Sequence, residues 1–188
     1  MTDQALLDTA TAVEKLRTGH VIAYPTEAVY GLGCDPANES AVRNLLALKG
    51  RHESAGLILI ASEFAQLKPW VSDVSEKLVA RAMHCWPGPV TWLFPRAAGV
   101  PDYVAGGHDT IAVRITAHEP SRVLCEAFGS ALISTSANHT TGKPARSADE
   151  VAGYFGSNIA GILAGALGRG EAPSEIRDLA SGNVIRPG

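Results

Sequence analysis

Ser134-Thr135-Ser136-Ala137-Asn138 leaves an apolar run, Ala131-Leu132-Ile133, that reads as the end of a buried strand. Side chains of an extended chain alternate between faces, so Ser134, Ser136 and Asn138 are expected to point the same way. Three small hydrogen-bonding groups on one face make a surface for an oxygen-rich ligand. The same residues also make an ordinary polar turn capping a strand. Gly142-Lys143-Pro144-Ala145-Arg146 brings two cations close behind. A second cationic pair stands in Leu48-Lys49-Gly50-Arg51-His52, at the end of a helical pattern. Cations there complement the helix dipole. Lys49 and Arg51 could equally clamp a polyphosphate, the arginine bidentately and the lysine as a point charge.

In the strand-like Thr110-Ile111-Ala112-Val113-Arg114-Ile115, Thr110, Ala112 and Arg114 share one face. An arginine within an apolar strand needs an anionic partner, either a protein carboxylate or a ligand carboxylate or phosphate. Tyr24-Pro25-Thr26-Glu27 leaves a strand and runs through Gly31-Leu32-Gly33, read as a glycine-containing loop before the next helix. Ligands of open α/β sheets bind outside such strand ends. Thr26 offers a hydroxyl there, and Gly31 and Gly33 permit close backbone approach. The pair of glycines is no dinucleotide fingerprint, because the third is missing and no helix opens on them. Nor does the chain contain G-x-x-x-x-G-K-S/T.

Trp86-Pro87-Gly88-Pro89-Val90-Thr91 reads as a rigid turn feeding a strand. Pro173 to Asp178 reads as a polar loop, and Arg186 follows Val184-Ile185. Together, Thr26, Lys49, Arg51, Arg114, Ser134, Ser136, Asn138 and Arg186 describe a site for anions. No Ser-His-Asp signature, G-x-S-x-G elbow or tight carboxylate pair accompanies them. The chemistry this suggests is orientation and charge neutralisation, as in adenylyl or phosphoryl transfer, without a covalent enzyme intermediate.

The elements that must hold these residues follow from periodicity and punctuation. Helices are expected over 4–18 with Gly19 as a stop, over 39–48 capped by Asn38, and over 73–85 capped by Ser72. Another runs over 120–128 with proline at its first position, and Ser147-Ala148-Asp149-Glu150 is a capping box opening a helix to Phe155. Strands are expected at 21–24, 57–60, 90–94, 110–115, 159–163 and 183–185. Helices alternating with short apolar strands mean α/β, and the uneven spacing favours a mixed, twisted sheet flanked by helices.

With 188 residues, 46% hydrophobic and 19% charged, the chain fits one globular domain over 1–188. A net charge of −3 argues against a surface that is nucleic-acid footprint throughout, while leaving room for a local basic patch. Cys34, Cys85 and Cys125 are far apart and odd in number, as in a reduced compartment. No apolar run approaches membrane-spanning length, and Asp3 and Gln4 stand where a signal peptide carries positive charge. A cytoplasmic protein without a membrane segment is the expectation, with no protein-held metal site.

Taken in order, Tyr24-Pro25-Thr26-Glu27 with Gly31-Leu32-Gly33, Lys49-Gly50-Arg51, Trp86 to Thr91, Ala112-Val113-Arg114 and Ser134 to Asn138 resemble the TsaC/YrdC family over nearly the whole chain. The C-terminal Pro173 to Asp178 and Ile185-Arg186 resemble its bacterial short form. The resemblance implies a single YrdC-like domain with a concave, positively lined face. It also implies a nucleotidyltransferase that combines L-threonine, bicarbonate and ATP, with Mg2+, into threonylcarbamoyl-adenylate and pyrophosphate. That is the first step of the t6A37 modification of tRNA, and a downstream threonylcarbamoyl transferase complex would consume the adenylate.

Carried over by resemblance, Thr26, Arg114 and Ser134 bind threonine, with Arg114 on its carboxylate. Lys49 and Arg51 are catalytic and handle the ATP phosphates. Thr110, Ser136, Asn138 and Arg186 contact the nucleotide. The chain departs from the family at His52 and Ala55-Gly56, where prolines are usual. Replacing Arg114 with alanine is expected to remove threonine-dependent turnover and leave the fold intact. A competing reading keeps the fold but makes it a binding module for tRNA or double-stranded RNA, since Lys49, Arg51, Lys143, Arg146 and Arg186 suit any phosphate backbone.

Overall fold

The computed structural model describes residues 5–170 and 172–188. Its strands in chain order are β1 (Leu6–Leu7), β2 (Ile22–Pro25), β3 (Tyr30–Gly33), β4 (Ile58–Ala61) and β5 (Val90–Pro95), then β6 (Thr110–Ile115), β7 (Leu132–Ser136), β8 (Ile162–Leu163), β9 (Glu175–Asp178) and β10 (Val184–Arg186). The helices are α1 (Thr9–Arg17), α2 (Glu39–Lys49), α3 (Glu76–Met83), α4 (Asp102–Ala105), α5 (Glu119–Phe128) and α6 (Ala148–Phe155). All the strands join one sheet in the order β1-β8-β2-β3-β7-β4-β6-β5-β9-β10. Parallel pairs (β4 with β6, β5 with β9) alternate with antiparallel ones (β3 with β7, β4 with β7, β5 with β6), the mixed α/β sheet that the uneven strand spacing implies.

Two hydrophobic clusters cover opposite faces. Leu16 of α1 and Leu124 of α5 pack with Ile22, Tyr24, Ile60 and Leu132 on one face. On the other, α2, α4 and α6 contribute Leu45, Val104 and Phe155 against Leu59, Trp92 and Ile133. The first cluster stops short. Two residues further along the strands, Ser134 pairs with Ile58, Ile58 with Ala112, and Ala112 with Leu93, so these four form a cross-strand row on the α1/α5 face. Their side chains line open space instead of a helix. The functional cleft occupies that uncovered stretch.

Several local expectations change. The helix expected from residue 4, itself outside the described residues, begins at Thr9, because Asp8 caps it by accepting from Thr11 N at 2.8 Å. Leu6 and Leu7 instead pair in parallel with β8. The helix expected over 73–85 is shorter, with Ser75 at its N-cap, since the Ser72 hydroxyl is spent on Arg96 O at 2.7 Å. Residues 30–33, expected as a loop, are strand β3. The glycines are there for close packing: a Cβ on Gly33 would stand 2.5 Å from Ile133 O and 2.6 Å from the Tyr24 ring. The Pro173–Asp178 segment, expected as a polar loop, supplies β9, half-buried along its length. Asn38 caps α2 as expected, and Gly50 ends it in the left-handed conformation at φ 59°.

Candidate active site

The cleft has a polar part and an apolar bay that meet at Arg51, Gly56, Leu57, Ile58 and Arg186. Free volumes are about 180 Å³ and 310 Å³. Thr26, Glu27, Arg114, Ser134 and Ser136 line the polar part, and Leu93, Ala112, Ile176 and Ile185 line the bay. Thr110, expected at the nucleotide, belongs to the bay.

Arg114 projects from the middle of β6 with its side chain only 7% exposed, and its Nη1 lies 2.7 Å from Glu27 Oε2. The anion that Arg114 required is therefore, in the first place, a protein carboxylate. Glu27 Oε1 accepts from the buried Thr116 hydroxyl at 2.7 Å. Burial alone would raise the Glu27 carboxyl, but the Arg114 charge and the Thr116 hydroxyl outweigh it and hold the pKa below the ordinary value. Despite the short distance, Oε2 receives no well-directed hydrogen bond, so the contact with Arg114 is chiefly coulombic. Arg114 Nε is buried without a hydrogen-bond partner. An alanine at 114 would strand the Glu27 charge.

Arg51 is held from behind. Its Nη2 donates to Ala55 O at 3.2 Å and Gly56 O at 3.0 Å, and its Nε is buried and unpartnered. The departure from the family pattern at 52–56 thus forms a short helical turn, with His52 Nδ1 accepting from Ser54 N, whose carbonyls cradle the guanidinium. Arg186 Nη2 donates to Ser174 O at 2.9 Å. Burial lowers the pKa of both Arg51 and Arg186, and Arg51 lowers that of Arg186 further by repulsion. Two cations brought together at the junction of cleft and bay mark it as a place for an anion.

Lys49 is placed elsewhere. It is buried at 3% exposure and is not part of the cleft wall. Nζ donates to Ser136 O at 2.5 Å, Asn138 O at 2.9 Å and Asn138 Oδ1 at 3.2 Å. An ammonium has three donors, so all are committed to the segment following β7. Burial, then Arg51, lower its pKa to about 8. Asn138 is likewise a support: Oδ1 accepts from Ser136 Oγ at 2.6 Å, and Nδ2 donates to Gly142 O at 2.6 Å. Of the three residues expected on one face, Ser134 and Ser136 reach the cleft and Asn138 stands behind it. The Thr26 hydroxyl donates to Val29 O at 2.7 Å, leaving its lone pairs toward the cleft.

Sequence reasoning missed Thr116, His118 and the strap at 168–170. Gly168 N donates to Thr26 O and Gly170 N to Glu27 O, at 2.9 and 2.7 Å. A Cβ on Gly168 would stand 2.6 Å from Glu27 O, so the glycines there allow the strap to lie directly on the turn. The clustered glycines were the available signal. His118, whose backbone N donates to Thr116 Oγ1, has an unpartnered buried Nε2, and burial lowers its pKa.

Fold and cleft together define a mixed-sheet α/β protein with an anion site on one uncovered sheet face. The family profile described as "Sua5_yciO_yrdC: Telomere recombination" matches residues 14–188. The chain belongs to the Sua5/YciO/YrdC family. A threonylcarbamoyl-AMP synthase of Halorhodospira halophila is 51% identical over 175 residues, 93% of this chain and 92% of that one. The threonylcarbamoyl-AMP synthase of Sodalis glossinidius is 49% identical, with both chains covered completely. Among solved structures, that of P. abyssi Sua5 complexed with L-threonine superposes with a TM-score of 0.89 at 35% identity, over 96% of this chain. This chain spans 54% of that longer protein. No described helix is long and apolar enough to cross a membrane.

Proposed function

We propose that this chain is a threonylcarbamoyl-AMP synthase, a nucleotidyltransferase that converts L-threonine, bicarbonate and ATP into threonylcarbamoyl-adenylate and pyrophosphate. One observation carries the reading: guanidinium groups from three separate elements, Arg51, Arg114 and Arg186, face one cleft, and two of them keep a buried N–H without a partner. Unpartnered buried donors of this kind call for an anionic ligand. The relatives' names give those anions identity as threonine and ATP.

The threonine nitrogen forms a bond to the carbon of bicarbonate-derived CO2, and the resulting carbamate loses a proton. A carbamate oxygen then attacks the α-phosphorus of ATP, the Pα–O–Pβ bond breaks, and pyrophosphate leaves. Arg114 faces the carboxylate end of threonine, with Thr26 and Ser134 beside it. Ser136 lies where the two substrates meet. Arg51 and Arg186 offset charge on the phosphates, and the apolar bay with Thr110 receives the nucleoside. Lys49 and Asn138 act by holding Ser136 in place. Carbamates are labile in water, so a site that holds both substrates beside the 168–170 strap has a clear use.

Among the described residues no cluster of three His, Cys, Asp or Glu side chains could cage a metal. The donor set fits a magnesium ion carried on the phosphates of ATP, with the Ser134 and Ser136 hydroxyls as the chain's own oxygens. Bound there, it would further offset phosphate charge. The test is pyrophosphate release from ATP with and without L-threonine and bicarbonate. Release that needs both supports the reading, and release independent of threonine rejects it.

A further inference from the structure

We propose that Glu27 is a positioning residue for the α-ammonium group of the amino acid, so that Glu27 and Arg114 together recognise a zwitterion. The inference rests on the reading of the polar cleft as the threonine site. Its starting point is the way the ion pair is built. The two charges offset each other at 2.7 Å, yet Glu27 Oε2 receives no directed hydrogen bond and Arg114 Nε donates to nothing. Both residues line the cleft. Glu27 keeps 19% of its side chain exposed and Arg114 7%, so a carboxylate and a guanidinium face the cleft side by side, and a free α-amino acid brings the complementary set, ammonium donors and carboxylate acceptors.

Glu27 is also held where it stands. Its Oε1 is fixed by Thr116 Oγ1, and Thr116 is fully buried with its N donating to Ala61 O at 3.0 Å. The Glu27 carbonyl is fixed by Gly170 N, and the preceding carbonyl by Gly168 N. A counter-ion whose only task was to neutralise Arg114 would not need to stand in the cleft wall, as the partly exposed Glu27 side chain does. A receptor for a zwitterion needs that access.

Binding of L-threonine is to be compared with binding of its des-amino analogue, 3-hydroxybutanoate, by calorimetry on the wild type and Glu27→Gln. In the variant, threonine affinity is expected to fall about 30-fold or more, the loss associated with truncating one partner of a hydrogen-bonded charge pair. Affinity for the analogue is expected to hold or rise, because a carboxylate no longer faces its carboxylate, and ATP affinity should not move. Equal weakening of both ligands would overturn the proposal and leave Glu27 as a support for Arg114. A wild type that binds ATP but not threonine would instead overturn the reading of the cleft. Should Glu27→Gln fail to melt cooperatively, Thr116→Val decides, since it keeps both charges and frees only Oε1. A loss of about threefold or more for threonine alone supports the proposal, and an equal loss for both ligands overturns it.

Discussion

Arg114→Ala separates two roles that the sequence could not distinguish, the one proposed for it at the ligand and the one it has in the fold as the partner of Glu27. Removing one partner of a buried ion pair costs about 3–5 kcal/mol, chiefly through the charge left behind. Glu27 retains 19% exposure, so the lower part of that range applies, about 3–4 kcal/mol at neutral pH. The pH dependence identifies the cause. In the wild type the Glu27 pKa is depressed, so its contribution is present above the unfolded value of about 4.3 and is lost as pH falls through the folded value. Without Arg114, burial becomes the dominant influence and the carboxyl rises above its unfolded value. The deficit of the variant is then largest at neutral pH and shrinks as Glu27 takes up a proton on acidification. Urea unfolding followed by tryptophan fluorescence at pH 7.5 and 5 measures both quantities. Arg114→Met with Glu27→Gln, which replaces both charges by neutral groups of similar volume, should recover stability to within about 1 kcal/mol but not threonine-dependent turnover. A deficit that is absent, or equal at the two pH values, would refute the assignment of Glu27 as the stranded charge.

Arg51→Ala and Arg186→Ala are each expected to raise the KM for ATP about tenfold or more while threonine binding measured alone stays unchanged. An unchanged KM would remove that residue from the phosphate site. Gly33→Ala places a methyl against Ile133 O and the Tyr24 ring, and is expected to cost about 1–3 kcal/mol by chemical denaturation; wild-type stability would show that β2, β3 and β7 pack more loosely than described. Turnover should fall as pH rises through about 8, when Lys49 loses a donor to the segment after β7. Between that value and the unfolded lysine value of about 10.4 the folded state binds fewer protons, so linkage adds stability. Turnover that stays flat across this window would show that the Lys49 charge is dispensable.

What the sequence made legible were features encoded locally. Asn38 and Gly50 bound α2, Ser147 opens α6 by accepting from Glu150 N, and the alternation in β6 places Arg114 on the cleft face. What it obscured were features decided by distant neighbours. Gly31 and Gly33 read as a loop because nothing nearby shows that Tyr24 and Ile133 O require the missing side chains. Glu175-Ile176-Arg177-Asp178 reads as a loop because its polar residues suit the half-buried environment beside β5 and β10. Alternation also failed at Asn138, because β7 ends at Ser136 and the chain turns before Asn138. Glu27 was visible as a residue, but its partners, Arg114 and Thr116, arrive from β6 and the residue just beyond it.

The commitment of Lys49 to backbone oxygens gives it a different kind of importance. It reaches across from the end of α2 to Ser136 and Asn138. The same segment answers: Thr140 N and Oγ1 donate to Lys49 O, Oγ1 also reaches Gly50 O, and His139 Nδ1 lies 3.0 Å from Leu48 O. The end of α2 and the segment after β7 therefore hold each other reciprocally. Arg51 begins just beyond one side of this clamp and Ser136 just before the other. Their separation sets the distance between the phosphate end of the cleft and the point where the substrates meet. On the proposed function, residues in the clamp act on both substrates at once, through geometry, whereas Arg51 and Arg114 each act on one, through charge. A cation that appears beside an arginine in a sequence motif does not thereby share its place; here the arginine lines the cleft and the lysine fixes the segment that faces it.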